Sequence, residues 1–149
     1  MTSPSILPRR ARLTLGVVAA AAGALLTVPT PSASAADDLF GFTSPSGNIG
    51  CMMDSSQVRC DIRERDWAPP PPPPDCPYNY GQGLILDAGA APRFVCAGDT
   101  ALAGGGPLAY GQSTSAGVLR CDSAMSGITC RDTETGRGFA ISREGYRFF

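Results

Sequence analysis

Gly47-Asn48-Ile49-Gly50-Cys51 leads through a polar centre to Val58-Arg59-Cys60, and Gly117-Val118-Leu119-Arg120-Cys121 leads through another to Ile128-Thr129-Cys130. Each copy reads Gly, one residue, Ile or Leu, one residue, Cys. Each then places a β-branched residue two positions before a second Cys, with eight residues between the two cysteines. Apolar side chains at every second position on both sides of a polar turn are the pattern of a β-hairpin, because successive strand residues face opposite sides. Asp54-Ser55-Ser56-Gln57 is expected to turn the first hairpin and Ala124-Met125-Ser126-Gly127 the second.

Two cysteines opposite one another in such a hairpin share a face, and their Cβ atoms come within bonding range. The favoured pairing is therefore Cys51 with Cys60 and Cys121 with Cys130, which leaves Cys76 for Cys96. Six cysteines allow 15 pairings in all, so the spacing ranks this one first without closing the others.

The flanking sequence continues the same theme. Leu84-Ile85-Leu86 and Arg93-Phe94-Val95-Cys96 enclose Asp87-Ala88-Gly89-Ala90-Ala91-Pro92, a third hairpin. Thr135-Gly136-Arg137-Gly138 turns into Phe139-Ala140-Ile141-Ser142, and Tyr146 and Phe148 repeat the alternation. Ala103-Gly104-Gly105-Gly106-Pro107 reads as a loop before Leu108-Ala109-Tyr110. No stretch sustains a 3.6-residue period. The expected fold is all-β, a small antiparallel β-sandwich or barrel of short strands and hairpins.

One segment breaks the pattern. Trp67-Ala68 precedes six consecutive prolines, Pro69 to Pro74, and then Asp75-Cys76-Pro77. Proline fixes φ and has no N–H, so this run is extended, takes no part in a ladder and is expected to form a strap. Trp67 beside it is a candidate binding residue for a partner, or else packs on the domain edge. Asp99, in Cys96-Ala97-Gly98-Asp99-Thr100, is the second candidate, a carboxylate fixed in a turn next to a disulfide. Ordinary turn chemistry is the competing account.

The start of the chain has a different composition. Arg9, Arg10 and Arg12 precede an uncharged run from Leu13 to about Val28, which Pro29 and Pro31 end and Ala33-Ser34-Ala35 follows. A basic start, a short apolar stretch and small residues before a cut describe a secretory signal peptide, so residues 1–35 are expected to be removed. The apolar run is short for a membrane span of roughly 20 residues, and no transmembrane anchor is expected after cleavage. The general export route fits better than the twin-arginine route, which Pro8 and Arg12 suit poorly. The remaining residues, 36–149, form one disulfide-rich domain on size grounds.

That part has no Lys and no His, and its nine Arg stand against ten Asp and three Glu, a net charge of −4. Nucleic-acid binders draw most of their affinity from basic side chains on phosphate, so that class is excluded. With no His, no Lys and all six cysteines oxidised, His-based triads, Ser-Lys dyads and thiolate nucleophiles are absent. No cofactor and no metal are expected: cysteines eight residues apart do not match zinc spacing, and Asp132-Thr133-Glu134-Thr135-Gly136 lacks the later acidic ligand of a calcium loop. Carboxylate pairs remain, drawn from Glu64, Asp66, Asp99, Asp122, Glu134 and Glu144, as in glycoside hydrolysis.

Large apolar side chains make up about a quarter of residues 36–149. A core that small gains from cross-links of about 2–4 kcal/mol each, so the cysteines read as structural.

Phe42-Thr43-Ser44-Pro45-Ser46-Gly47-Asn48-Ile49-Gly50-Cys51, Val58-Arg59-Cys60-Asp61-Ile62, Cys96-Ala97-Gly98-Asp99-Thr100-Ala101-Leu102 and Thr135-Gly136-Arg137-Gly138-Phe139-Ala140-Ile141-Ser142-Arg143 together resemble a family of small secreted, cysteine-containing actinobacterial proteins. The likeness runs over nearly all of residues 36–149 and implies an exported cell-envelope or culture-filtrate protein. The family carries a domain of unknown function, so no functional residue is transferred from it.

The expected function is a non-catalytic monomeric module that binds an unknown protein or envelope component outside the cytoplasm. The alternatives are a carboxylate-dependent hydrolase of glycan-type substrates, a protein-protein inhibitor and a purely structural envelope component.

Overall fold

The computed structural model describes residues 38–149. The expected export segment, residues 1–35, lies outside the described residues.

The first repeat folds as β2 (Ile49–Met53) and β3 (Gln57–Ile62), and the second as β8 (Leu119–Ala124) and β9 (Gly127–Asp132). Cys51 stands opposite Cys60 and Cys121 opposite Cys130 in antiparallel register. Both pairs are disulfide-bonded across 4.1 Å between Cα atoms, the short spacing of a non-hydrogen-bonded pair. The third bond joins Cys76 to Cys96. The turns fall where expected: Asp54 N–H donates to the Gln57 carbonyl at 3.0 Å across the first, and Ala124 pairs directly with Gly127 across the second. Gly127 has φ +119, which lets the second turn close on Met125 and Ser126 alone.

Each hairpin is the centre of a five-stranded meander. On one side β1 (Phe40–Thr43), β2, β3, β4 (Asn79–Asp87) and β5 (Arg93–Ala97) follow in order. On the other β7 (Ser113–Ala116), β8, β9, β10 (Gly138–Ile141) and β11 (Tyr146–Phe148) do the same. The short repeat in the sequence thus marks a larger one in the fold: two equivalent meanders, each with a disulfide between its second and third strands.

The meanders stack face to face, so the fold is a sandwich and the barrel alternative is set aside. Ile49, Cys51, Met53, Val58, Cys60, Leu84 and Leu86 of the first sheet meet Leu119, Cys121, Ile128, Cys130, Phe139 and Ile141 of the second in one buried cluster. The two hairpin disulfides touch at its centre, with Cys60 Sγ 3.8 Å from Cys130 Sγ. Neither sulfur carries a proton, so this is a packing contact and not a hydrogen bond.

The arrangement is not wholly antiparallel. Gly106–Pro107, expected to be loop, forms a sixth strand (β6) that pairs parallel with β1, Phe42 opposite Gly106 and Thr43 opposite Pro107. The chain reaches that edge by crossing the outer face of the first sheet, where strand glycines make room for it. A methyl at Gly50 would stand 2.6 Å from the Ala101 carbonyl oxygen and from Leu102 Cα, and one at Gly41 would stand 2.8 Å from the Gly104 carbonyl carbon. Strand glycines here mark the close approach of a second backbone. Ala101, 2% exposed, sits in the depression they leave.

Candidate functional site

The loop that crosses the first sheet is held by Asp61, whose outward-facing carboxylate is nevertheless fully buried. Arg59, two residues earlier on the same face of β3, forks onto it through Nε at 2.9 Å and Nη2 at 2.7 Å. Ala101 N–H donates to Asp61 at 2.9 Å and Thr100 Oγ1 at 3.1 Å. Asp99, singled out in the sequence, caps the free end of Arg59 by accepting from Nη1 at 2.7 Å. That ion pair holds the Asp99 carboxyl below its ordinary value. With its side chain 83% exposed, Asp99 contributes to a solvent-screened pair of small energetic weight. Arg59 thus serves two carboxylates of the fold.

Trp67, the other singled-out residue, closes the open edge of the sandwich. Its indole N–H donates to the Ser142 carbonyl at 2.9 Å, and its ring lies 4.8 Å from Tyr146 and 6.4 Å from Phe94. Phe94 on β5 and Tyr146 and Phe148 on β11 stack between the two sheets. The Arg65 guanidinium covers the Trp67 ring at 4.5 Å. Trp67 is therefore half-buried and engaged.

The proline strap leaves the sandwich at this anchor. Pro69 rests on Gly81 (φ +77), where β4 and β5 shift register. The far end is tied by Cys76–Cys96, and between the anchors Pro70 to Pro74 are exposed. Behind the strap is a groove of about 510 Å³ bordered by Arg59, Pro73, Tyr80, Arg93 and Phe94.

This disulfide differs from the other two in access. Cys51, Cys60, Cys121 and Cys130 are fully buried, whereas Cys96 is exposed and Cys76 partly so. Thiol exchange requires a thiolate to reach a sulfur. Under graded dithiothreitol in native buffer, alkylation mapped by mass spectrometry should label Cys76 and Cys96 first, and the other four only when the domain unfolds. Early labelling of Cys51 or Cys121 would contradict the burial.

A larger groove, about 670 Å³, opens at one end of the sandwich among the β1–β2, β8–β9 and β10–β11 turns. It gathers Glu64 and Glu144 from the carboxylate candidates, together with Arg63 and Arg143. Asn48 fixes its wall through a reciprocal pair: Nδ2 donates to the Glu64 carbonyl at 2.9 Å, and Glu64 N–H donates to Oδ1 at 2.8 Å. Arg143 reaches Glu64 at 3.4 Å and Asp66 at 3.5 Å. The amide of Glu144 and the Ser142 hydroxyl hold the Glu144 carboxyl below its ordinary value. At the rim Met125 is 89% exposed and Tyr110 49%. Asp99 and Asp122 lie elsewhere, the latter between Arg120 and Arg131.

The Asp132–Gly136 stretch, whose spacing does not suit a calcium loop, is a hairpin turn. Asp132 Oδ1 accepts from Glu134 N–H at 2.8 Å and Thr135 N–H at 3.0 Å. Its Oδ2 accepts from Gly89 N–H at 2.7 Å, which joins the β4–β5 turn of one sheet to the β9–β10 turn of the other. Among the described residues no cluster of three or more metal-ligating side chains occurs.

These bonds make the domain acid-sensitive in a defined direction. Thr135 and Gly89 amides lower the Asp132 carboxyl from its ordinary 3.8. The Ser56 hydroxyl does the same for Asp54. At Asp87 burial works upward, but Arg93 and Gln57 outweigh it and the net shift is again downward. A carboxylate with a lowered folded-state value binds fewer protons folded than unfolded. Its contribution is complete above the ordinary carboxylate range and drains away as pH falls through the lowered values. Urea midpoints should be flat from pH 7 to 5 and fall steadily below about pH 4, with a shallower fall in Asp132→Asn. A rise on acidification would refute the assignment.

Three disulfides belong to an oxidising environment. Searches of the curated proteins and of the solved structures found no match to the chain. The profile of one family does match, over residues 20–149. With the two-meander sandwich and all three disulfides inside that span, the chain belongs to the family of unknown function DUF6636.

Proposed function

We propose that the chain is exported and that its folded domain is a rigid, non-catalytic, monomeric module that binds a protein or envelope partner outside the cytoplasm. The signal-peptide pattern at residues 1–35 and the disulfides support export. One observation carries the binding reading: many of the domain's acids are engaged in holding the fold, and those with a resolved shift are lowered. A glycosidase needs the opposite for one of its two acids, a value raised toward neutrality so that it can deliver a proton. Meanwhile Met125, Tyr110 and Tyr78 (64% exposed) present apolar surface to solvent.

The hydrolase reading retains one specific support, the presence of Glu64 and Glu144 in the same groove. One experiment separates the two. The oxidised domain is immobilised and exposed to envelope and secretome extract, retained proteins are purified and titrated back by calorimetry, and a glycan panel is assayed in parallel. A reconstituted complex with no turnover supports the module. Turnover lost in Glu64→Gln or Glu144→Gln, with nothing retained, overturns it.

A further inference from the structure

Adjacent antiparallel strands need only two to five residues to connect them. Between Ile62 at the end of β3 and Asn79 at the start of β4, which are neighbours in one sheet, the chain spends sixteen residues, 63–78. Connections of that length without secondary structure of their own are usually either functional or linker segments. The anchors at either end are built with care, yet what they hold out, Pro70 to Pro74, is exposed.

A proline followed by another proline has φ fixed by its own ring and the α region barred by its neighbour's, so Pro69 to Pro73 are held extended in polyproline II, and no cis bond occurs among the described residues. The five residues Pro69 to Pro73, at about 3.1 Å each, span about 16 Å, so prolines three apart share an edge, and the rod ends in a turn where the Cys76 N–H donates to the Pro73 carbonyl at 3.1 Å. Such a rod has no N–H to satisfy, offers the carbonyls ahead of Pro73 to an outside donor and presents ridges that fit between aromatic rings. Here it is also closed at both ends. Trp67 is pinned by its bond to Ser142 and the far end by Cys76–Cys96, so much of the ordering cost of binding is met before a partner arrives. Asp75, exposed directly after the last proline, and the net charge of −4 over residues 36–149 set the partner's polarity.

We infer that the strap Pro69–Pro74 is the surface on which the proposed binding acts, and that its partner is a protein with an aromatic-lined groove bordered by basic side chains. This rests on the binding-module reading above. The fold supplies the rod and holds it in place, while the partner supplies the rings.

The test compares three full oxidised domains: the native sequence, a strap variant (Pro70→Ser, Pro71→Gly, Pro72→Ser, Pro73→Gly, Pro74→Ser) and an opened variant (Cys76→Ser, Cys96→Ser). Urea midpoints and mapping of the two hairpin disulfides establish that each has folded. The first probe is a purified aromatic-lined domain that binds poly-L-proline, titrated by calorimetry. The native domain should bind it, the strap variant at least tenfold more weakly, and the opened variant about three- to tenfold more weakly. Failure of the native domain to bind, or equal binding by the strap variant, overturns the inference. The second probe is envelope and secretome extract. A protein retained and reconstituted with the native domain but not with the strap variant supports it. A partner kept equally by both overturns the strap's role and leaves the module reading intact. Retention of nothing by either, alongside binding of the first probe, overturns the module reading instead. Concentration-dependent self-association that the strap variant abolishes would replace the outside partner with a second copy and overturn the inference as stated.

Discussion

Replacing Cys121 and Cys130 together by Ala should lower the unfolding free energy by about 4 kcal/mol, whereas Ser at both Cys76 and Cys96 should lower it by only about 1–2 kcal/mol. Loop-closure entropy alone ranks them the other way. A sequence separation of 9 is worth about 2.6 kcal/mol and one of 20 about 3.3 kcal/mol in that account. Burial reverses the order. The Cys121–Cys130 sulfurs lie in the centre of the core against Cys60, so their removal also leaves a cavity where the sheets meet. The Cys76–Cys96 link ties down an exposed strap, and once it is cut the native state recovers freedom in residues 68–76 that offsets part of the loss. Urea unfolding of the two double variants measures the ranking. A Cys76/Cys96 variant less stable than the Cys121/Cys130 variant would show that chain entropy dominates and that the contact between the hairpin disulfides carries little weight.

The same contact shows where sequence reasoning reached and where it stopped. The paired Cys spacing and the alternation at Ile49, Val58, Leu119 and Ile128 are local signals, because a strand's period of two is set by its own backbone. They sufficed for the hairpins, for the disulfides in register and for an all-β fold. Nothing local says that Cys60 meets Cys130, since that depends on how two separate sheets stack. Two of the strands absent from the sequence reading have weak patterns for a physical reason. Gly106–Pro107 has no alternating apolar face and pairs only because the chain has been carried across Gly50 and Gly41 to the sheet edge. Ser113–Ala116 is an edge strand of small, mostly polar residues. Their pairing comes from the neighbour and not from their own side chains.

The candidate sites divide along the same line. Asp99 was visible as a carboxylate in a turn, but its partner Arg59 lies forty residues earlier, and the buried Asp61 between them resembles any other strand aspartate. One signal was available: an Arg and an Asp two residues apart share a strand face, and an acid followed by Ile62 at a strand end is placed to receive a crossing loop. The groove holding Glu64 and Glu144 is assembled from three turns and the segment that follows β3. No spacing in the sequence encodes it. The strap was legible because proline dictates its conformation regardless of context, and so was its far anchor, the Cys76–Cys96 bond; its near anchor was not, because Ser142 and Gly81 come from distant parts of the chain.

Asp61→Ala should be the most damaging single substitution on the outer face of the first sheet, at about 3–5 kcal/mol. The loss has two parts that a double-mutant cycle can separate. Arg59, only 13% exposed at its side chain, would keep its charge with Asp99 as its remaining partner, and that pair is exposed to solvent. The Ala101 N–H would be buried without an acceptor. Adding Arg59→Met removes the first penalty, since an apolar side chain of similar length suits the site once its carboxylate is gone. The double variant should therefore recover about 1–2 kcal/mol over Asp61→Ala alone, leaving the cost of the unpaired amide and the freed loop. Hydrogen exchange gives a second readout: the Ala101 amide should lose its protection in both variants, while core amides of β8 and β9 keep theirs relative to global stability. If Asp61→Ala costs less than about 1 kcal/mol, or if Arg59→Met adds to the damage, Asp61 does not organise the crossing loop. Parallel pairing of β6 with β1 would then owe its stability to the glycine path alone.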